Sequence, residues 1–297
     1  MTGIICIDKP QGMTSFSAVK KAARILGVKK AGHTGTLDPM ATGVLTVMLS
    51  GCTRFSELLP EHKKSYWARV SLGIVTDTLD ITGKVLSRQT PHVTEEQLLE
   101  VCSQFTGEIM QTPPMFSAVK KNGKRLYSLA RQGIVTEREQ RKVIIESLEV
   151  YGFDGEEFCL NTTCSAGTYI RSLCDDIGSV LGCGAALKEL RRTAANGFSV
   201  ENAVTLERLE QLKNENRAEE AVIPLEKALS AYSEIEVTSA QAKRFYNGGE
   251  LDGKRLGGHF GAGIYRVYSP ERKLLGLGEI LNGGGDLTVK RVLVSDE

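Results

Sequence analysis

The chain has 297 residues, 41% of them hydrophobic, with 31 Gly and only 8 Pro, and its 37 Lys and Arg against 36 Asp and Glu leave a formal charge of +1. That length and apolar content suffice for one large domain, or one large and one small, around a full core, and they exclude disorder as the main state and any collagen-like or low-complexity chain. Charge is nevertheless segregated. Residues 1–36 carry six Lys and Arg against Asp8 alone, residues 118–142 carry eight against Glu137 and Glu139, and residues 201–227 carry seven Glu against four basic residues. Such segregation favours a polyanion-binding side, although a charge run by itself is also what a solvated face looks like.

The longest uncharged run, 39–53, is broken by Gly43 and Gly51 and is too short to span a membrane, and Asp8 and Lys9 interrupt any leader-like core. A cytoplasmic protein is therefore expected. Seven Cys without a C-x-x-C pair read as reduced thiols in apolar positions, and four scattered His make a metal site improbable.

In chain order, residues 3–8 (GIICID) predict a strand that the turn Lys9-Pro10-Gln11-Gly12 ends. Ser15 reads as the N-cap of a helix striped by Val19, Ala22, Ala23 and Leu26 and stopped at Gly27. Residues 66–73 and 84–86 look like strands, and Thr94 with Gln97 forms a capping box that opens a helix running to about Phe105. Two β-rich runs, 143–153 and 157–164, flank Asp154-Gly155, the best hairpin signal in the chain. After Gly167-Thr168-Tyr169, residues Ile170, Leu173, Cys174, Ile177 and Leu181 stripe a helix ended by Gly182, which puts Arg171 and Asp175 together on another face. The Glu-rich segment 205–227 predicts helix. From Glu234 onward the β-type runs 264–269, 274–280 and 288–294 alternate with Gly-rich turns, as in a small barrel or sandwich, and the boundary is expected near residue 230.

The densest feature is Gly32-His33-Thr34-Gly35-Thr36-Leu37-Asp38-Pro39-Met40-Ala41-Thr42-Gly43, an ordered glycine loop with a carboxylate at its apex. Taken alone it reads as an ordinary Asp-Pro turn, and its glycines do not spell a phosphate loop. It closely resembles, however, the catalytic loop of the TruB family of tRNA pseudouridine synthases. The resemblance extends to Asp8-Lys9-Pro10-x-Gly12-x-Thr14-Ser15, Lys64-x-Tyr66, Pro113-Pro114-x-x-Ser117-Ala118-x-Lys120, Gly167-Thr168-Tyr169-Ile170-Arg171 and Leu190-Arg191-Arg192. These blocks keep the family's order across residues 8–192.

What this resemblance implies is an α+β catalytic domain over 1–229, with a mixed, mostly antiparallel sheet flanked by helices and a thumb-like RNA-binding insertion at about 113–142. A small barrel-like PUA module would follow over 230–297. The family isomerises uridine to pseudouridine without a cofactor. The resemblance assigns Asp38 as nucleophile and Arg171 as the cation that keeps it ionised; without it, Arg171 would read as a helix salt bridge to Asp175. Tyr66 matches the tyrosine that stacks on uracil and helps remove the C5 proton, Tyr169 a second pocket tyrosine and Leu190 an apolar neighbour, each otherwise a core residue.

Reaching a stacked uracil requires the nucleotide to flip out, and His33 matches the histidine that fills the hole. RNA contacts are expected from Lys9, Lys20, Lys64, Lys120, Lys121, Lys124 and Arg125, with Lys21 a further candidate. The implied partner is the T-stem-loop of tRNA, modified at uridine 55, with a monomeric enzyme needing no obligatory protein partner. Two other readings are a guide-RNA-dependent pseudouridine synthase and a non-catalytic RNA-binding protein on the same scaffold. A carboxylate glycosidase lacks the second carboxylate it needs.

Overall fold

The structure is a computed structural model that describes residues 1–121 and 123–294. Asn122 of the 113–142 segment and the last three residues of the 230–297 module lie outside the described residues.

The first strand, β1 (Gly3–Lys9), leads into helix α1 (Ser15–Leu26), whose buried stripe of Ala18, Val19, Ala22 and Leu26 follows the helical period. Thr14 rather than Ser15 is the N-cap, accepting from the Ser17 amide, while Gly27 ends the helix in the left-handed conformation at φ 69°. Ser15 bonds the glycine loop instead. Strands β2 (Ala31–His33) and β3 (Thr42–Leu49) bracket the glycine loop, and β4 (Lys64–Leu72) alternates buried and half-buried residues along its length. A small hairpin, β5 (Ile74–Thr76) and β6 (Val85–Arg88), precedes α2 (Glu95–Ser103), which opens on the complete Thr94/Gln97 capping box.

Strand β7 (Gly107–Gln111) is followed by the two-residue strands β8 (Lys120–Lys121) and β9 (Lys124–Arg125) and the short α3 (Leu126–Ala130). Next come β10 (Arg141–Tyr151) and β11 (Glu157–Cys164), joined at Asp154, whose carboxylate accepts from the Glu156 and Glu157 amides. Helix α4 (Ile170–Val180) then feeds β12 (Ala185–Ala195) and β13 (Phe198–Ser199).

The Glu-rich segment is helical only in pieces, α5 (Leu206–Asn214) and α6 (Leu225–Ala228), with a turn of 3-10 helix between. Asn216 at φ 57° breaks the run, and Arg217 there ties Glu215 and Glu220 together. The chain ends with β14 (Ser233–Glu236), α7 (Ser239–Tyr246), β15 (Gly263–Tyr268), β16 (Leu274–Ile280) and β17 (Thr288–Val292).

Among the described residues the chief sheet has nine strands, in the order β1-β3-β12-β4-β11-β10-β7, with β2 beside β3 and β13 beside β12. All neighbours are antiparallel except β12 and β3. At that parallel join Arg192 lies opposite Gly43, and a Cβ on Gly43 would come 2.2 Å from the Arg192 carbonyl oxygen, so only glycine lets the two backbones meet.

One face of β4, β11 and β12 presents Tyr66, Ala68, Val70, Leu160, Leu187 and Leu190 to α4, α2 and the glycine-loop residues Leu37 and Ala41. Truncating one buried member such as Leu173 to Ala is worth about 2–5 kcal/mol, which is what anchors the loop to the sheet.

The second sheet runs β14-β15-β16-β17 and has its own core around Phe245, Val267 and Leu287. It also shares an apolar cluster with the first: Tyr268, Leu274 and Leu277 pack with Ile4, Cys6, Met48, Phe55 and Leu59. The Tyr232 hydroxyl donates to the Leu58 carbonyl across the same join at 3.0 Å.

Candidate active site

The glycine loop is fastened at several points. Ser15 is the first: its hydroxyl donates to the Leu37 carbonyl at 2.9 Å and accepts from the Leu37 amide at 2.8 Å, which fixes the residue before Asp38 to the start of α1. The Gly12 amide donates to the Pro39 carbonyl at 2.7 Å. Lys9, with no exposed surface, donates from Nζ to the carbonyls of Pro10, Met13 and Pro39 at 2.8, 2.7 and 3.4 Å. The ammonium expected to contact RNA is enclosed here and occupied with the loop's own backbone. Burial first, and Arg192 after it, draw its pKa down to about 8 against the pull of Asp38.

Arg192 is the deepest clamp. It is 1% exposed and donates Nε to the Val44 carbonyl at 2.7 Å, Nη2 to Gly35 at 3.0 Å and Nη1 to Thr36 at 3.4 Å. Among the described residues no carboxylate lies within ion-pair distance of it. Arg191, one residue earlier, turns the other way and grips both oxygens of Asp8 at 3.0 and 2.7 Å.

Asp38 stands at the loop apex with 35% of its side chain exposed, and its Oδ2 meets Arg171 Nε at 2.8 Å. Arg171 does not pair with Asp175 on its own helix. Its Nη1 donates to the Thr78 carbonyl and its Nη2 to the Phe116 carbonyl, both at 2.8 Å, and Asp80 Oδ2 lies 3.8 Å from Nε. Each of the three guanidinium nitrogens thus has a partner, and Nε faces the Asp38 carboxylate. Burial pushes the Asp38 carboxyl above the usual range, with Arg171 the strongest opposing influence, Asp80 adding to the rise and Lys9 opposing it.

Asp80 was not singled out in the sequence. It is 5% exposed and held by Thr78 and Thr82. Leu79 beside it is left-handed at φ 63° and hands its carbonyl to the Leu187 amide on β12 at 3.1 Å. The signal available was the Asp- and Thr-rich run 76–83 closing on a glycine between two strands. Gln111 was missed as well: its side-chain amide donates to the Tyr169 carbonyl at 2.9 Å and accepts from the Tyr169 amide at 2.7 Å, pinning the residue that opens α4.

Tyr66 and Leu190, at 7% and 8% exposed, lie on the sheet face below the loop, Tyr66 opposite Arg192 and Leu190 opposite Ala68. Burial pushes the Tyr66 hydroxyl up, and the Arg192 guanidinium beside it pulls the other way. Lys64 is half-buried on β4, two residues from Tyr66, and burial together with Arg192 lowers its pKa. His33, at the end of β2, buries Nδ1 without a hydrogen-bond partner, and burial first and Arg192 second favour its neutral ring. Lys20 is exposed on α1 with its ammonium 4.6 Å from the ring centre of Phe16. Lys120, Lys121, Lys124 and Arg125 are exposed on β8 and β9.

One arginine-held carboxylate at the edge of an apolar floor, with a tyrosine beneath it and cations around it, defines an enzyme that works on a polar, anionic substrate at a single reacting centre. Comparison with known proteins agrees. Residues 23–170 match the model of the TruB family pseudouridylate synthase N-terminal domain, 171–230 the tRNA pseudouridylate synthase B C-terminal domain, and 233–293 the pseudouridine synthase II TruB C-terminal region. A tRNA pseudouridine synthase B of Clostridium tetani is 46% identical over 94% of this chain and 96% of its own. That of Aromatoleum aromaticum is 44% identical over 98% and 92%. Among solved structures, Cbf5 in a complex with Nop10 and Gar1 is 29% identical with a TM-score of 0.75, covering 99% of this chain and 85% of that one. The chain belongs to the TruB family of pseudouridylate synthases.

Proposed function

We propose that the protein isomerises uridine 55 in the T-loop of tRNA to pseudouridine. The observation that carries this reading is the Asp38 carboxylate, one-third open to solvent and held by Arg171 Nε at 2.8 Å over the floor made by Tyr66 and Leu190. The reaction breaks the N1–C1′ bond of the uridine, turns the uracil over, forms C5–C1′, takes a proton from C5 and returns one to N1. Atoms balance within the nucleotide, so the chemistry calls for no cofactor.

In this reading the target nucleotide leaves the RNA stack, at a cost of a few kcal/mol, and presents its sugar–base bond to Asp38. Arg171 keeps the carboxylate charged and aimed against the pull of its burial, and Asp80 in turn fixes Arg171. Asp38 acts as the nucleophile, Tyr66 stacks on the uracil and assists loss of the C5 proton, and Tyr169 and Leu190 complete the pocket. The neutral His33 ring takes the place of the departed base.

Lys20, Lys64, Lys120, Lys121, Lys124 and Arg125 meet RNA phosphates, the last four from a thumb-like insertion over 113–142 that clamps the T-arm. The catalytic unit runs over 1–229, and residues 230–297 form a PUA-like RNA-binding module. The enzyme works in the cytoplasm as a monomer with no obligatory protein partner. Identities of 44–46% over nearly full length to proteins named for tRNA support the tRNA target over a guide-RNA-dependent one.

The test is tritium release from tRNA labelled at uridine C5, paired with pseudouridine mapping in cells lacking the gene. Asp38→Asn should lower turnover by at least about 10⁴-fold and leave the Kd for tRNA within about threefold. Near-normal turnover would reject Asp38 as nucleophile, and an unchanged position 55 in the deleted strain would reject the target.

A further inference from the structure

Gly35 is a glycine that its backbone does not require. It is not among the residues with positive φ, so any side chain suits its conformation. A side chain would instead press on its neighbours. A Cβ there would lie 3.1 Å from Lys64 Nζ, 3.3 Å from Lys64 Cε and 3.6 Å from Arg192 Nη1. Two cations of different origin, one from β4 and one from β12, thus converge on the same bare stretch of backbone. Among the described residues the Lys64 ammonium has no hydrogen-bond or ion-pair partner, although the side chain is half-buried. Arg192 is bonded to three carbonyl oxygens and lies against the Tyr66 hydroxyl, and among the described residues no carboxylate pairs with it. Two like charges gathered in a partly desolvated place disfavour each other, and an anion seated between them removes that penalty.

The order along the loop indicates which anion. His33, proposed to enter the gap in the base stack, lies two residues before Gly35, and Asp38, proposed to meet the ribose, lies three residues after it. A nucleotide that spans those two points has a phosphodiester between them. We propose that Lys64, Arg192 and the backbone at Gly35 form a phosphate seat that holds a phosphodiester flanking the everted uridine, with Lys64 in direct contact and Arg192 acting through its field.

This deepens the reading of the site as one that takes an everted uridine, and it rests on that reading. The seat sets the depth at which the sugar stops and therefore its distance from Asp38. It places Lys64 at the reacting nucleotide's own linkage, a different role from the exposed lysines of β8 and β9.

The experiment is a coupling cycle on T-arm stem-loop RNA. Each phosphodiester flanking the target uridine is replaced in turn by a methylphosphonate, protected by a neighbouring 2′-O-methyl group, and compared with the same RNA carrying an ordinary linkage there. Kd is measured for wild type, Lys64→Met and Gly35→Ala, with Tm recorded for each protein. One methylphosphonate should weaken wild-type binding roughly tenfold. Lys64→Met should weaken binding of the ordinary RNA by a similar factor and be insensitive to that same methylphosphonate. Gly35→Ala keeps every charge but fills the cradle, and it should reproduce both effects; it answers the question should Lys64→Met fail to fold.

Independent, multiplying losses at every linkage would overturn the proposal, as would a Gly35→Ala protein that binds and discriminates like wild type. Inorganic phosphate that raises the wild-type Tm while every methylphosphonate is silent would overturn it too, marking a seat for a free anion. Wild-type turnover on unmodified RNA is scored separately, so failure of the seat is distinguishable from failure of the functional reading.

Discussion

Two sets of cations in this molecule are used in opposite ways. Lys9, Arg171 and Arg192 are 0%, 4% and 1% exposed and direct their donors at carbonyls and carboxylates of the loops around Asp38. Lys120, Lys124 and Arg125 are exposed on a two-stranded hairpin, where Arg125 lies against the Tyr127 ring. A buried cation must be satisfied by the protein that buries it, and so becomes part of the scaffold. An exposed one keeps its charge in water, where only a partner can use it. Lys64 stands between these cases, half-buried and unpaired among the described residues.

The comparison is broken most severely at Arg171. Arg171→Met strands two carboxylates and should cost about 3 kcal/mol of unfolding free energy in urea. The milder Arg171→Gln should lower kcat by at least about 100-fold. It also removes the strongest influence holding the Asp38 carboxyl down, so that carboxyl rises further and is protonated at higher pH. The acid limb of kcat/KM should therefore move to higher pH; a limb that stays put or moves down would mean Asp38 is not the group titrating.

Next in size is Arg192→Met, which leaves the Val44 and Gly35 carbonyls without their donor and should cost about 2 kcal/mol in the same unfolding measurement. A variant as stable as wild type would show that Arg192 is not a clamp. Replacing Lys120, Lys121, Lys124 and Arg125 together by Ala should do the reverse, leaving stability within about 0.5 kcal/mol. Affinity for tRNA should fall at least about tenfold, or 1.4 kcal/mol, and the plot of log Kd against log salt should flatten by roughly three. An unchanged slope would dissolve the distinction between the two sets.

The smallest effect concerns Lys9. Its pKa is about 8 in the folded protein against an ordinary value of 10.5, so between those pH values the unfolded chain binds the extra proton. Stability relative to Lys9→Met should therefore increase modestly as pH rises from 8 to 10.5, as read from urea unfolding at pH 8 and pH 10. A relative loss over that range would mean the ammonium is stabilised by its three carbonyls more than burial penalises it.

Much of the architecture was legible because its causes are local. Gly27 ends α1 through its own backbone freedom, Thr94 and Gln97 cap each other across three residues, and Asp154 bonds to amides two and three residues on. The 205–227 segment misled for the same reason: composition favours helix, but Asn216 adopts a left-handed turn that composition does not announce. The Asp38 loop stood out as a block of spaced glycines, and its kinship with a known catalytic loop was a matter of letters in order.

What the sequence alone determined, then, was the family and the locally signalled strands and helices, while β3, β7 and β12 of the chief sheet went unread. The three-dimensional structure decided the partners. Asp80 joined Arg171 beside Asp38, Lys9 proved to be enclosed, and Gln111 and Arg192 emerged as groups that hold the start of α4 and the glycine loop. Those contacts join residues that are often more than fifty positions apart. Whether a charge is spent on the protein or offered to a ligand depends on what surrounds it after folding, and neighbours in the chain carry no record of that.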